Sequence, residues 1–276
     1  MKFAVTVVSP PGYAHSAAFH EVAETLHYAL LSLGHDSVMT REGRLDGRRH
    51  IVLGSNLLPH CGLTLAPDAI LYNLKQVLAG SSWITPALLA LMRRHVVWDY
   101  SAANARAFAA LGVRVGRVVP IGYVPELTRI RMAEPRDIDV LFCGSLCPRR
   151  AHVIDTMRAA GIDAIAAFGL YGRPRDRLIA RARLVLNVHS RADGVLEIVR
   201  LSYLLANRCA VLSERCADAT DEAPLAQAIA FADYDALAER AARLLSSPAE
   251  LERLAREGFA EMQSRRASDY LRAALA

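Results

Sequence analysis

The sequence predicts an α/β chain of two consecutive doubly wound parallel-sheet domains, and three observations carry that reading. Short apolar runs alternate with amphipathic stretches, the pattern of repeated βα units. The alternation stops at VPELTRIRMAEPRDID, residues 124–139, where two prolines and mixed charge break the periodicity, and then restarts. The 276 residues are 53% hydrophobic, enough to fill two cores. The expected division is residues 1–128 and 129–276, each a Rossmann-like domain. Open α/β sheets bind ligands beyond the carboxyl ends of their strands, so function is expected there, in an interdomain cleft.

In the first half, strands are expected at about 2–9, 36–41, 50–54, 69–73, 95–98 and 115–119, with helices at about 16–33, 86–94 and 102–111. FAVTVV is the first strand: Pro10-Pro11-Gly12 ends it, and it is too short for a signal-peptide core or a membrane span. Gly34 suits a helix C-cap, Pro86 a first helical turn, and Ser101 can cap the helix beginning at Ala102. After the linker come strand 139–144, helix 149–160, strand 163–168, helix 174–182, strand 183–190, helix 195–206 and strand 209–214. A short strand near 228–232 and helices at about 235–245, 248–263 and 267–275 close the chain.

Charge narrows the function classes. The formal net charge is +5, distributed as +5, +4 and −4 over residues 1–132, 133–208 and 209–276. Of the 33 basic side chains only Lys2 and Lys75 are lysines; arginine binds phosphate and carboxylate in bidentate fashion. There is no dense basic run with interleaved aromatics, so small anionic ligands fit better than nucleic acid. The five cysteines are odd in number and lack a CxxC pair, which reads as reduced core residues of a cytoplasmic protein without a membrane span.

Four motifs sit at expected strand ends. Beyond the first strand a single glycine, Gly12, replaces the GxGxxG of a dinucleotide site, and His15 and Ser16 open the following helix. His15 there either takes a proton from an acceptor hydroxyl or simply caps the helix or faces solvent. In FCGSLCPRRAHVIDTM, residues 142–157, Arg149 and Arg150 occupy a first helical turn. Cations there oppose the helix dipole and call for an anion, which a diphosphate would supply, unless both are solvated. NVHS, 187–190, places Asn187 and His189 at the same edge, facing a ligand or a neighbouring loop. Glu197 and Arg200, at i and i+3, share a helix face and form either a ribose and phosphate site or an internal ion pair. Asp137-Ile138-Asp139 and Asp233-Tyr234-Asp235 spell DxD, but the first precedes its strand and the second suits a helix N-cap, so no metal site is expected. Neither GxSxG nor HExxH occurs.

Together with APDAILYNLKQV, VVWDYSAANARAFAALGV and YDALAERAARLLSSPAELERLAREGF, the segments DVLFCGSLCPRR and LEIVRLSYLLANRCAVLSE resemble bacterial glycosyltransferases of the two-Rossmann GT-B type. They are most similar to the group 1 and spore-maturation-like branch. The resemblance implies a nucleoside diphosphate sugar donor held by the C-terminal domain, with no other cofactor and no obligatory metal. A carbohydrate, peptide or small-molecule acceptor would be held by the N-terminal one. It implies donor contacts at Gly144, Ser145, Arg149 and Arg150, with Glu197 binding the ribose or donor sugar; Asn187, His189, Arg200 and Glu214 are further donor-side candidates. Gly12, Tyr13, Ser16 and Asp99 are the acceptor-side candidates, with His15 as base or positioning group. One departure stands out: where the retaining members carry two glutamates eight positions apart, this chain keeps only Glu197. A non-catalytic nucleotide-binding or accessory module, and a nucleotide-sugar epimerase of the same fold, are the alternatives.

Overall fold

A computed structural model describes residues 1–217 and 219–276. The chain forms two compact units, Met1–Glu126 with Arg265–Ala276, and Leu127–Ser264. The expected boundary at 128/129 lies within two residues of this division, but the expected second domain ran to residue 276. Instead the last helix packs with the first unit. Tyr123 N donates to Arg265 O at 2.7 Å and Ala267 N donates to Tyr123 O at 3.0 Å. Gly122 permits the contact, because a Cβ there would meet the Ala267 Cα at 2.4 Å.

The first unit is a six-stranded parallel sheet in the order β2-β1-β3-β4-β5-β6, comprising β1 (Lys2–Val7), β2 (Asp36–Thr40), β3 (Arg49–Leu53), β4 (Ile70–Asn73), β5 (Val96–Asp99) and β6 (Val115–Val118). Its helices are α1 (His20–Ser32), α2 (Pro86–Met92) and α3 (Ala102–Ala110), joined by the C-terminal helix. Central strands are apolar on both faces because helices cover both sides; Phe3, Ile51, Leu53, Ile70, Leu71 and Trp98 are all buried. The helix expected from residue 16 is two elements. A 3-10 turn spans Ala14–Phe19, and α1 starts only at His20. Thr85 caps α2 by accepting from Leu88 N at 3.2 Å, and Ser101 caps α3 by accepting from Ala103 N and Asn104 N.

A buried histidine pins the loop after β2. Leu45 N donates to His50 Nε2 at 2.8 Å, so the ring proton sits on Nδ1 and donates to Thr6 Oγ1, also at 2.8 Å, whose hydroxyl donates to Glu42 O. Burial lowers the His50 pKa below its ordinary 6.5, with Asp68 and Glu42 opposing more weakly. A depressed folded-state pKa contributes stability that is complete above pH 6.5 and lost as pH falls through the folded value. Protonation sets Nε2–H against Leu45 N–H, a loss of about 1–3 kcal/mol. The expected result is a melting temperature that falls more steeply below pH 6.5 in the wild type than in His50→Gln, which cannot titrate; parallel curves would refute it.

The second unit is a five-stranded parallel sheet in the order β11-β10-β9-β7-β8. Its strands are β7 (Ile138–Cys143), β8 (Ala164–Ala167), β9 (Ala182–Asn187), β10 (Val211–Glu214) and β11 (Ala230–Ala232). The helices are α4 (Pro148–Ala159), α5 (Arg173–Arg181), α6 (Ile198–Ala206), α7 (Leu237–Leu245) and α8 (Pro248–Ser264), with α9 (Ala267–Leu275) returning to the first unit. Each unit starts one strand in from an edge of its sheet, adds the second strand on one side and the third on the other. That reversal creates a switch point between β1 and β3 and another between β7 and β9, where the loops leave the sheet in opposite directions. The segment expected to be a plain linker is held down by Asn207 at the end of α6: Arg129 N and Ile130 N donate to its Oδ1 at 2.8 and 2.9 Å, and its Nδ2 donates to Leu127 O. No helix among the described residues is long and apolar enough to cross a membrane.

Candidate functional site

The loops leaving β7, β9 and β10 meet at the carboxyl edge of the second sheet because these strands are neighbours there. Gly144–Cys147 leads into α4 with Pro148 in its first turn, Val188–Val195 leads toward α6, and Glu214 ends β10. The sequence suggested α6 from residue 195, but it begins at Ile198. Glu197 is its N-cap residue and Arg200 lies in its first turn.

Five side chains form one ionic cluster. Arg150 is 4% exposed; its Nε donates to Val188 O at 2.8 Å, Nη1 to Ser145 O at 3.0 Å, and Nη2 to Glu197 Oε1 at 2.9 Å. Arg149 forks onto Glu214 in bidentate fashion, with Nη1 2.6 Å from Oε2 and also donating to His189 O at 3.0 Å. Glu214 Oε2 in turn accepts from His189 N, tying the NVHS loop to β10. Arg200 Nη1 lies 2.7 Å from Glu197 Oε2, an ion pair off hydrogen-bond geometry, and the same nitrogen donates to Asn187 Oδ1 at 2.9 Å. Asn187 is fully buried and passes the chain on, donating to Ser213 Oγ at 3.0 Å. Gly144 leaves room for Arg200, whose Nη2 would lie 3.1 Å from an added Cβ.

The anion that Arg149 and Arg150 call for is thus present within the protein, as Glu214 and Glu197. The Glu214 carboxylate holds the Arg149 pKa above its ordinary value, while burial lowers that of Arg150 against the pull of Glu197. Neither guanidinium is a solvated surface charge. Three arginines against two glutamates leave one positive charge in excess, beside the N-termini of α4 and α6. The side chains of Arg149 and Arg200 are 22% and 27% exposed, against 5% for Arg150. Arg149 and Arg200 are therefore the members a ligand can reach, and Arg150 is the internal brace. His189 is buried, its Nδ1 has no hydrogen-bond partner among the described residues, and its Nε2 lies 3.7 Å from Cys216 Sγ.

In the first unit, Gly12 is exposed with φ +74°, Tyr13 packs edge-on against His15 at 5.3 Å, and Ser16 is buried in the 3-10 turn. His15 therefore lies in that turn rather than at the start of the long helix. Asp99 corrects its acceptor-side assignment. It is fully buried and accepts from Asn73 Nδ2 at 2.7 Å, Ser101 N at 2.8 Å and Asn104 Nδ2 at 3.0 Å, and burial raises its pKa to about 6. Its carboxylate organises the β4 and β5 loops, and at 0% exposure neither oxygen is open to solvent.

Sequence reasoning missed Tyr234. Its ring lies 3.9 Å from the Arg149 guanidinium, and its hydroxyl donates to Arg149 O at 2.8 Å. The only signal was its place inside the second DxD. Of the DxD aspartates, Asp137 pairs with Arg181, Asp139 with Arg183, and Asp233 lies 3.5 Å from Arg215. Phe142, which lies under both Arg150 and Arg200, gave no signal beyond a core strand. Among the described residues, no group of three or more His, Cys, Asp or Glu side chains could hold a metal ion.

No family model matches the chain. Among curated proteins, it is 34% identical over 71 residues to uncharacterized protein L138 of Acanthamoeba polyphaga mimivirus, covering 25% of this chain and 8% of that protein. It is 25% identical over 165 residues to L140 of the same virus, covering 56% and 53%. The matched region thus spans about half of L140 and less than a tenth of L138. Among solved structures, Anabaena Alr3699/HepE in complex with UDP and glucose aligns over 100% of this chain and 99% of its own, with TM-score 0.65 and 11% identity. AviGT4, a glycosyltransferase involved in avilamycin A biosynthesis, aligns over 100% and 97%, with TM-score 0.55 and 17% identity. Sucrose-phosphate synthase from Thermosynechococcus elongatus aligns over 99% and 98%, with TM-score 0.59 and 10% identity. The fold is the two-Rossmann-domain GT-B fold of these proteins.

Proposed function

We propose that the chain transfers a sugar from a nucleoside diphosphate sugar to a hydroxyl-bearing acceptor, with no obligatory metal. The observation that carries this reading is the net positive cluster at the β7/β9 switch point, built from Arg149, Arg150 and Arg200 against Glu197 and Glu214. Departure of the diphosphate develops negative charge, and guanidinium groups already fixed by Glu214, Asn187 and Phe142 stabilise it without reorganising. Arg200, the most exposed of the three, is the principal diphosphate ligand, and Arg149 the second. Glu197 keeps one oxygen on Arg150 and offers the other, beside Arg200, to a ribose or sugar hydroxyl. Gly144 and Ser145 supply the backbone edge along which the donor lies, and His15 in the first unit positions or deprotonates the acceptor.

UDP is the first nucleotide to test, because the solved HepE complexes contain it. Calorimetric titration with UDP, GDP and dTDP, followed by nucleotide release from the matching sugar donors over a panel of acceptors, checks the reading. Saturable nucleotide binding with acceptor-dependent release and a new glycoside supports it. Binding without transfer across the panel favours a non-catalytic module, and release of nucleotide with an altered free sugar in the absence of acceptor favours an epimerase. Absence of any nucleotide binding overturns all three.

A further inference from the structure

The switch point of the first unit holds a second set of polar groups that the donor reading does not use. Its strands β1, β3 and β4 are neighbours, and the segment following each carries hydrogen-bond donors without a protein acceptor. Beyond β1, Ser16 is 3% exposed and its Oγ has no partner among the described residues; beyond β3, the same is true of Asn56 Nδ2, at 9% exposure. These two turns touch, since Phe19 of the first packs against Gly54 at the start of the second. Beyond β4 comes Lys75.

Lys75 is half-buried, and burial lowers its pKa. No carboxylate pairs with it among the described residues; its ammonium lies 4.4 Å from the centroid of the Trp83 ring, and that contact replaces only part of its lost hydration. The loop presenting it is held rigidly. Asn73 Nδ2 and Asn104 Nδ2 both donate to Lys75 O, at 2.7 and 3.0 Å, Lys75 N donates to Asn73 Oδ1, and Val77 N donates to Asn104 Oδ1. Asp99 anchors both asparagines. The chain also uses arginine almost everywhere else, so a compact point charge stands here in a sequence with only two lysines. Trp83 stays 42% exposed although it is one of the largest apolar side chains in the molecule. A partly dehydrated cation without a carboxylate partner among the described residues, lying over an aromatic ring that stays 42% exposed, matches a ligand carrying an anion on a ring with apolar C–H faces.

We propose that Lys75 and Trp83 recognise an acidic saccharide, one bearing a carboxylate or a phosphate, with Lys75 on the anionic group and Trp83 against the sugar ring. This rests on the glycosyl-transfer reading only in naming that saccharide as the acceptor; the binding site itself stands without it.

The test follows Trp83 fluorescence, since the other tryptophan, Trp98, is buried. Full-length protein is titrated with glucuronic acid, glucose 6-phosphate and glucose, with Trp83→Phe as the spectral control. Saturation by one or both acidic sugars, at least 10-fold weaker with glucose and at least 10-fold weaker in Lys75→Met, is expected; the acid that binds better identifies the anion. Lys75→Met removes a dehydrated charge, so its melting temperature should match or exceed that of the wild type, and Lys75→Arg should recover part of the binding. Equal response to acidic and neutral sugars, or unaltered binding in Lys75→Met, overturns the proposal. Acidic-sugar binding without transfer from any donor refutes the glycosyl-transfer reading and leaves this site standing. Transfer to acidic acceptors unchanged in Lys75→Met does the reverse.

Discussion

Arg150→Ala is expected to destabilise the second unit rather than only silence an intact one. The guanidinium donates to the carbonyls of Val188 and Ser145 and to Glu197, and its charge lies 5.3 Å from the centroid of the Phe142 ring. Truncation leaves two carbonyls bare and Glu197 largely buried with Arg200 as its remaining cation. Removing one partner of a buried ion pair costs about 3–5 kcal/mol, a large share of the roughly 5–15 kcal/mol that holds a domain together. Urea denaturation should show a correspondingly lower midpoint for Arg150→Ala. Arg150→Lys should also lose stability, because an ammonium cannot reach three acceptors set around a planar fork. The double variant Arg150→Met/Glu197→Leu should recover part of the loss, since neither member of the pair is then left alone. An Arg150→Ala protein as stable as the wild type would make Arg150 a free ligand group and reverse its assignment here.

That expectation marks where the sequence stopped informing. Two helix-first-turn arginines announced an unmet demand for an anion, and the demand is real. Nothing in PRR, however, indicates that Glu214, 65 residues away, and Glu197, 47 residues away, meet it. Long-range pairing depends on which strands become neighbours, and the β11-β10-β9-β7-β8 order is not readable from local spacing. Glu197 and Arg200 show the converse. Their spacing of three placed them on one face, and the structure pairs them there as the internal ion pair, one of the two alternatives.

The strand positions were legible because buried parallel strands are continuous apolar runs with polar or glycine punctuation. The helix starts were less so. Val195 and Leu196 precede α6 and, with Glu197, carry no Ser, Thr, Asp, Asn or Pro start signal, and AHSAAF adopts 3-10 geometry although its composition is helical. Asp99 was visible as a polar residue at a strand end, which reads equally as ligand group or loop anchor; only the three donors around it decide for the anchor. The return of α9 to the first unit left no trace, because its recognition depends on the missing side chain of Gly122.

Arg200→Ala should give the opposite phenotype to Arg150→Ala, a folded protein that fails on nucleoside diphosphates. Its side chain is 27% exposed, it makes one hydrogen bond, to Asn187, and Glu197 retains Arg150 when it is gone. A partly exposed ion pair of this kind contributes only about 0–1 kcal/mol, and baring the buried Asn187 Oδ1 costs about 1–3 kcal/mol, so the denaturation midpoint should fall less than in Arg150→Ala. Each charge-assisted hydrogen bond to a diphosphate contributes about 1.5–3 kcal/mol, which predicts an affinity for UDP lower by roughly 10–100-fold. Uridine, which lacks the diphosphate, should bind the variant and the wild type alike. On the proposed transfer reading the effect on kcat should be larger, about 100–1,000-fold, because the diphosphate carries more charge in the transition state than in the bound donor. Removing the one excess positive charge also predicts a shallower dependence of UDP affinity on salt, measurable in the same calorimetric titrations. Equal weakening of UDP and uridine would place Arg200 on the base or ribose, and unchanged UDP binding would remove the cluster from donor recognition altogether.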